Sequence, residues 1–145
     1  MSRPEIEIFW PASLPSEPAA AGEDMLRGAG IETSCLLRPV RRGGVSETVV
    51  VLVSSAVLEP FLRTLFQRVA DEAASGLKAF VGRLLERPAE GAPTPDGVVI
   101  ESSPTGARFR FTADLPDAAY EQVVGVDAGD KRWAWDHRLA LWTPG

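Results

Sequence analysis

The chain has 145 residues and a formal net charge of −5, and 45% of its residues are hydrophobic. This length predicts a single globular domain over residues 1–145, and the apolar content is sufficient for a buried core. A net negative charge disfavours a nucleic-acid-binding protein, which needs a basic face to displace counterions. The one basic cluster, Arg38, Arg41 and Arg42, is interrupted by Pro39-Val40 and precedes Gly43-Gly44, as is typical of a solvated loop.

A single cysteine, Cys35, excludes an intramolecular disulfide and a cysteine-based zinc site. Its neighbours Leu36 and Leu37 predict a buried strand thiol. The N-terminus carries acidic residues and has no apolar segment of the secretory type, so we expect a cytoplasmic protein. Lysine occurs only at Lys78 and Lys131 while arginine is plentiful, which indicates a GC-rich bacterial genome.

The first third of the chain alternates between strand and loop patterns. Polar and apolar residues alternate over Glu5–Trp10, which predicts a strand with Ile6, Ile8 and Trp10 on one face. Four elements follow: a proline-rich loop over 11–18, a short helix over Ala19–Arg27, a strand over Ile31–Leu37 and a strand over Thr48–Val53. The last of these is apolar on both faces, so we expect it to be central in the sheet.

The longest pattern predicts an amphipathic helix over Glu59–Arg87. Apolar residues recur there with the i, i+3, i+4, i+7 spacing of one broad stripe, and Pro88 ends the pattern. The apolar run that precedes Glu59 is shorter than the roughly 18 to 20 residues of a membrane span. A continuous helix here would be about 43 Å long, whereas a compact domain of this size is about 38 Å across. The helix therefore crosses the domain, bends near Gly76, or projects toward a partner.

A β-hairpin is predicted over Val98–Ser102 and Ala107–Ala113. The intervening Ser103-Pro104-Thr105-Gly106 has the proline and glycine positions of a type I turn. The register implied by this turn pairs Ser102 with Ala107, Glu101 with Arg108, Ile100 with Phe109, and Val98 with Phe111.

The C-terminal third completes the predicted fold. Asp114 is predicted to cap a short helix whose buried side includes Tyr120, and Arg132–Trp142 alternates as a closing hairpin or terminal strand. A second proline-rich loop covers 89–97. Together these elements predict an α+β fold, in which one long amphipathic helix packs across a face of a mixed or antiparallel sheet and two short helices accompany it.

Tryptophans and arginines form the candidate interaction surface. Trp133 and Trp135 share one face of a predicted strand, and Trp142 lies close in sequence. Aromatic clusters are enriched at binding hot spots, but large aromatics are mostly buried in cores, and we favour the core interpretation. As an interface, the three tryptophans would act with Arg63 and Arg68 of the long helix.

No catalytic residue, cofactor or metal site is predicted. His137 is the only histidine, and its neighbour Asp136 would point to the opposite face of a strand, so it is a poor orienting partner. No serine lies in a nucleophile elbow. We therefore expect a solvated turn histidine. Asp127 and Asp130 do not match the spacing of a calcium loop and are typical of turns.

The element order carries a resemblance. Thr48–Ser55 leading into a long helix and then a short strand pair resembles small domains of GC-rich bacteria that are encoded beside effector genes, among them the effector-associated constant components of bacterial conflict systems. Asp114–Tyr120, followed by Trp133–Asp136 and Trp142, has a similar pattern. The resemblance covers Glu5 to Trp142 in element order and hydrophobic texture. It implies an adaptor or regulatory partner in a signalling or defence assembly rather than an enzyme.

Two function hypotheses follow. The first is a non-enzymatic protein–protein interaction domain that binds a protein partner or self-associates. The alternative is a small-ligand-binding domain, or an enzyme using backbone groups and carboxylates, with its cleft between sheet and long helix near Tyr120, Trp133 and His137. A deep apolar pocket with converging polar groups would favour the alternative.

Overall fold

The computed structural model describes residues 4–38, 47–54 and 61–144, excepting the side chains of Arg38 and Phe61. The strands are β1 (Ile6–Pro11), β2 (Thr33–Arg38), β3 (Thr48–Val53), β4 (Gly97–Ser102), β5 (Arg108–Phe111), β6 (Arg132–Asp136) and β7 (Leu141–Pro144). The helices are α1 (Glu17–Gly28), α2 (Phe61–Phe66), α3 (Ala73–Leu85) and α4 (Asp117–Val123). The fold is therefore α+β, as predicted.

The strands form one mixed sheet in the order β2-β1-β3-β4-β5-β6-β7. Parallel and antiparallel pairs alternate across it: β1–β2, β3–β4 and β5–β6 are parallel, and β1–β3, β4–β5 and β6–β7 are antiparallel. Each parallel pair is connected through helix, since β-strands that run the same way need a long connection. As predicted, the strand Thr48–Val53 lies inside the sheet, between β1 and β4.

The helices pack on one face of this sheet, which we call the inner face. Ile6, Ile8 and Trp10 of β1 are fully buried there, as their alternation predicts. The same core cluster contains the inner-face residues of β3, β4 and β5 and the buried residues of all four helices. The Trp10 indole Nε1 donates a hydrogen bond to the Pro15 carbonyl at 3.0 Å and ties the following loop to the core.

The segment predicted as one long helix is instead two helices, α2 and α3, separated by residues 67–72. The rings of Phe66 and Phe80 lie 5.6 Å apart, whereas residues fourteen apart in one straight helix would be separated by about 21 Å along its axis. The chain thus folds back on itself so that both rings enter the core. The expected bend at Gly76 is wrong, because Gly76 lies within α3. The predicted helix start at Glu59-Pro60 lies outside the described residues.

The predicted β-hairpin is confirmed with its register. Val98 pairs with Phe111, Ile100 with Phe109 and Glu101 with Arg108. The Ser102 N–H donates to the Ala107 carbonyl at 2.9 Å, and the Gly106 N–H donates to the Ser102 carbonyl at 2.7 Å. Gly106 has a positive φ of 79°, which a residue without Cβ adopts at little cost.

Several predicted boundaries shift. Helix α1 begins at Glu17 and β1 ends at Pro11, so the first proline-rich loop is shorter than 11–18. Helix α4 is preceded by Pro116 at its N-cap, so the prediction that Asp114 caps it is wrong. The C-terminal pattern forms the antiparallel pair β6–β7. Among the residues that the structure describes, no helix has both the length and the apolar character needed to cross a membrane.

Candidate functional site

The face of the sheet that points away from the helices, which we call the outer face, carries a row of apolar side chains. Leu36 of β2, Phe9 of β1, Val50 of β3 and Val99 of β4 are direct cross-strand neighbours. We call these four residues the apolar row. Side chains in this register share a face, and strands are about 4.8 Å apart, so the row is about 14 Å long.

The apolar row is not part of the hydrophobic core. Phe9, Val50 and Leu36 lie outside the core cluster in the described part of the chain, and Leu36 is 44% exposed. Val99 is only 8% exposed and yet also lies outside that cluster. Val50 on β3 and Arg110 on β5 are its outer-face neighbours. The sheet therefore has a second apolar surface, separate from the one that the helices cover.

Charged residues border the apolar row. On β5, Arg110 is the next residue in the row beyond Val99. The adjacent row runs through Glu7, Leu52, Glu101 and Arg108 on β1, β3, β4 and β5, and continues to Arg132 on β6. Arg108 Nε lies 2.8 Å from Glu101 Oε1 in a partly exposed ion pair. The outer face thus has an apolar row, carboxylates on β1 and β4, and guanidinium groups on β5 and β6.

The tryptophans of the predicted interaction surface pack toward the inner face. Trp142 is 6% exposed, and its indole Nε1 donates to the Ala119 carbonyl of α4 at 2.8 Å. Its ring meets Phe109 and Phe111 edge-on, with centroids 5.7 Å and 5.4 Å away. Trp133 and Trp135 are half-buried against the core, and Trp133 stacks on Phe109 at 6.1 Å. These contacts are those of core residues.

The two arginines of the predicted surface lie on the helical side. Arg68, just after α2, donates from Nη1 to Glu5 Oε1 at 2.9 Å and from Nη2 to the Gly30 carbonyl at 2.9 Å. The Arg68 hydrogen bond holds the pKa of Glu5 below its ordinary value, and the Glu32 N–H adds to this effect at 3.1 Å. Arg63 is exposed. Arg68 therefore joins three segments of the fold, and it is separate from the tryptophans in its contacts.

His137 has a partner that the sequence pattern missed. It lies in the β6–β7 turn, as predicted, with its Nε2 3.3 Å from Asp114 Oδ2, and the two side chains are 55% and 71% exposed. The Thr112 hydroxyl donates to the other Asp114 oxygen. This hydrogen bond lowers the pKa of Asp114, and the backbone N–H of Asp114 and the nearby His137 add smaller effects in the same direction. Asp136, which the sequence excluded as an orienting residue, instead accepts from the N–H groups of Arg138 and Leu139.

The Asp114–His137 pair lines a cleft of about 240 Å³. This is below the roughly 300 Å³ at which small-molecule pockets begin. The three residues of the predicted ligand cleft have separate partners: Tyr120 stacks on Phe111, Trp133 stacks on Phe109, and His137 faces Asp114. They do not converge on one cavity.

Two further candidates for a site are a surface depression and the thiol of Cys35. A shallow depression of about 430 Å³ is lined by Arg27, Gly30, Ile31, Glu32 and Thr33, and Arg27 there donates to the Thr33 carbonyl at the edge of the sheet. Cys35 is half-buried in β2, and burial, followed by the charge of Glu23, raises the pKa of its thiol. In the described ranges no three His, Cys, Asp or Glu side chains are grouped to hold a metal ion.

Sequence reasoning missed the outer face because it placed Thr48–Val53 at the centre of the sheet and did not ask what covers its second apolar face. A sequence signal for the outer face was present in β3. There Val50 and Leu52 are apolar, in addition to Val49, Val51 and Val53 on the other face. A strand that is apolar on both faces indicates two surfaces to cover. Comparisons of the chain with protein-family models, with curated proteins and with solved structures give no match.

Proposed function

We propose that this chain is a non-enzymatic protein–protein interaction domain that acts as an adaptor through the outer face of its sheet. The observation that supports this is the apolar row of Leu36, Phe9, Val50 and Val99, which lies outside the helix-covered core. Leu36 of this row is 44% exposed and Val99 is 8% exposed. Apolar surface that lies outside a core and is bounded by polar residues is a mark of protein interfaces.

The composition of the outer face suits a protein partner. Two stacked sheets lie about 10 Å apart, and their facing side chains interdigitate. The valine, phenylalanine and leucine side chains of the apolar row are suited to this packing. Charges at the border of such a patch fix orientation and reject partners with the wrong charge pattern. Arg110 continues the row on β5, and Glu7 lies beside the row on β1.

The biological setting in this proposal comes from the sequence. Element order from Glu5 to Trp142 resembles small effector-associated domains of bacterial conflict systems, whose implied role is that of an adaptor. We therefore place the chain in a bacterial signalling or defence assembly, where it would join components without a chemical step of its own.

A photo-crosslinking residue at a single position tests the proposal. Substituting Val50 by a photo-reactive amino acid in cells of the native host should give a crosslinked adduct of defined mass on irradiation, because Val50 lies in the middle of the apolar row. The same residue at Ala118, exposed on α4 behind the inner face, is the matched control. Mass spectrometry of each adduct gives its composition, and circular dichroism verifies that both variants fold.

Equal labelling from positions 50 and 118 would contradict an interface on the outer face. So would labelling from position 118 alone. Adducts that depend on position 50, and that disappear when Phe9→Lys is added to the same chain, would support it, because Phe9 is the cross-strand neighbour of Val50.

A further inference from the structure

We propose that the occupant of the outer face is a second copy of this chain, packed sheet to sheet about a twofold axis that runs parallel to the strands between β3 and β4. This inference deepens the proposed function and rests on it. Most soluble oligomers are symmetric dimers whose two subunits present the same patch to each other. The patch must then be complementary to itself, and the outer face has this property.

The charges supply the first part of the complementarity. Strands β1 and β5 are equally far from an axis between β3 and β4, at about 7 Å or one and a half strand spacings. Glu7 on β1 and Arg108 on β5 belong to the same cross-strand row. A twofold rotation about the axis therefore places Glu7 above the partner's Arg108, and Arg108 above the partner's Glu7. Glu7 makes no ion pair with any described residue of its own chain.

The apolar row supplies the second part. Val50 and Val99 lie on either side of the axis, half a strand spacing from it, so the rotation places Val50 above the partner's Val99. In the same row Phe9 comes above the partner's Arg110. A guanidinium over an aromatic ring is an attractive pair, and it needs no further charge. On the four strands nearest the axis, each residue of the row thus has a suitable neighbour across it.

The twist of real sheets leaves this pairing within reach. Packed sheets cross at about 30°, which displaces groups 7 Å from the axis by about 3.5 Å along the strand. Glutamate and arginine side chains are long enough to compensate for that displacement. The two valines beside the axis are scarcely displaced.

The size of the patch predicts a weak, reversible dimer. The four strands nearest the axis, with a spacing of about 4.8 Å and about five residues each, give a footprint of roughly 14 by 16 Å. That is smaller than the approximately 800 Å² per partner of a standard stable interface. We therefore expect weak association and rapid exchange between monomer and dimer.

A charge-exchange experiment on the full chain tests the symmetry directly. Wild-type protein should sediment as a monomer–dimer equilibrium. Glu7→Arg alone sets the introduced arginine against the partner's Arg108, and Arg108→Glu alone sets Glu7 against the partner's introduced glutamate, so each should weaken the dimer by about tenfold or more. In a one-to-one mixture both contacts are opposite in charge again, and a dimer containing one of each variant should form.

Two controls separate charge from folding. Glu121→Arg, an exposed change on α4, should leave the equilibrium unaltered. Glu101→Gln removes the intrachain ion pair of Arg108 and leaves Glu7 and Arg108 in place. The rotation sets position 101 above the partner's Leu52 and away from the Glu7–Arg108 contact, so this variant should still form the dimer. Circular dichroism of each variant establishes that the fold is intact, and recovery in the mixture is possible only if both variants are folded.

A wild-type chain that stays monomeric through the micromolar and low millimolar range would overturn the proposal. The outer face would then be covered by a different protein or by another part of the chain. A mixture that associates no better than its components would also overturn the proposal. A monomeric chain that still crosslinks a different protein from position 50 would refute self-association and leave the proposed function standing. A monomer with no adduct specific to position 50 would refute both.

Discussion

Glu5 shows how much one side chain contributes to holding this fold together. Its carboxylate accepts hydrogen bonds from Arg68 after α2 and from the Glu32 N–H before β2, and Arg68 also bonds the Gly30 carbonyl. The N-terminal strand, the turn after α1 and the end of α2 therefore meet at this residue. Its charge matters, because the pKa of Glu5 is lowered by the Arg68 hydrogen bond.

The first prediction concerns the pH dependence of this contact. Glu5→Gln should lower the free energy of unfolding at pH 7 by about 1 kcal/mol, since the pair is only partly buried. A lowered folded-state pKa means that the stabilisation is fully present above the usual value of 4.5 and is lost as the pH falls through the folded pKa. The difference between wild type and variant should therefore shrink in acid, as measured by urea unfolding at several pH values.

Arg83→Ala is the matched control, because it removes an exposed helix pair whose Nη1–Oε2 distance to Glu86 is 3.8 Å. It should change stability by less than about 0.5 kcal/mol at every pH. A difference between wild type and Glu5→Gln that stays constant from neutral pH into acid would show that the charge of Glu5 contributes nothing.

Single residues differ in how far the sequence reveals their partners. The Glu101–Arg108 pair was predictable because a four-residue turn sets the register of a hairpin. The Asp114–His137 and Glu5–Arg68 pairs were not, since no local rule relates residues on segments that meet only through the sheet. The sequence identified His137 as solvated and could not identify what it faces.

At the scale of elements, the helical hairpin of α2 and α3 depends on the absence of a side chain at Gly76. A Cβ built there would lie 2.8 Å from the Phe66 carbonyl oxygen and 3.3 Å from Val69 Cβ. The carbonyl belongs to the backbone and cannot swing away as a side chain would. Gly76 thus allows α3 to pack closely against the end of α2.

Two glycine substitutions in one helix test this packing. Gly76→Ala should destabilise the protein by about 1 to 3 kcal/mol through overpacking. Gly82→Ala, where nothing lies within 4 Å, should stabilise it by about 0.5 to 1 kcal/mol, because alanine restricts the unfolded chain and favours helix. Thermal and urea unfolding give both values. Equal effects of the two changes would contradict close packing of α2 on α3.

The sequence revealed the helical periodicity of this segment and not its break. The apolar stripe runs on through residues 67–72, where no proline or glycine marks an end. The break accompanies the contact of Phe66 with Phe80, which is a tertiary interaction that local propensity does not report.

At the scale of the whole molecule, Trp142 links the last strand to the rest of the fold. It contacts Phe109 and Phe111 of β5, Trp135 of β6 and the Ala119 carbonyl of α4. Strands β6 and β7 should therefore unfold together with the central sheet, as one cooperative unit.

Adjacent substitutions in β7 test that cooperativity. Trp142→Ala should lower the free energy of unfolding by about 3 to 5 kcal/mol, the usual cost of emptying a large buried site. Leu141 is 49% exposed on the other side of the strand. Leu141→Ala should therefore change the free energy of unfolding by less than about 0.5 kcal/mol. Far-UV circular dichroism follows the whole chain in urea. Loss of signal from a terminal segment alone, with an unchanged main transition, would show that β6 and β7 are separate.

Strand order was beyond the reach of the sequence. Patterns located nearly every strand, but a pattern does not show that β1 lies between β2 and β3. Such pairing depends on contacts between residues far apart in the chain. The outer face was missed for the same reason, since the apolar row exists only once four separate strands are in register.

The strand order also determines the handedness of the chain path. From β1 the chain moves through α1 to β2 on one side, and from β5 it moves through α4 to β6 on the other, while β1 and β5 point the same way. Both helices lie over the inner face, so these two crossovers have opposite hands. About 98% of such crossovers in proteins are right-handed. One of the two is therefore the rare left-handed form. In the shorter unit around α4, the Tyr120–Phe111 stack and the Trp142–Ala119 hydrogen bond are the contacts that hold the helix on the inner face.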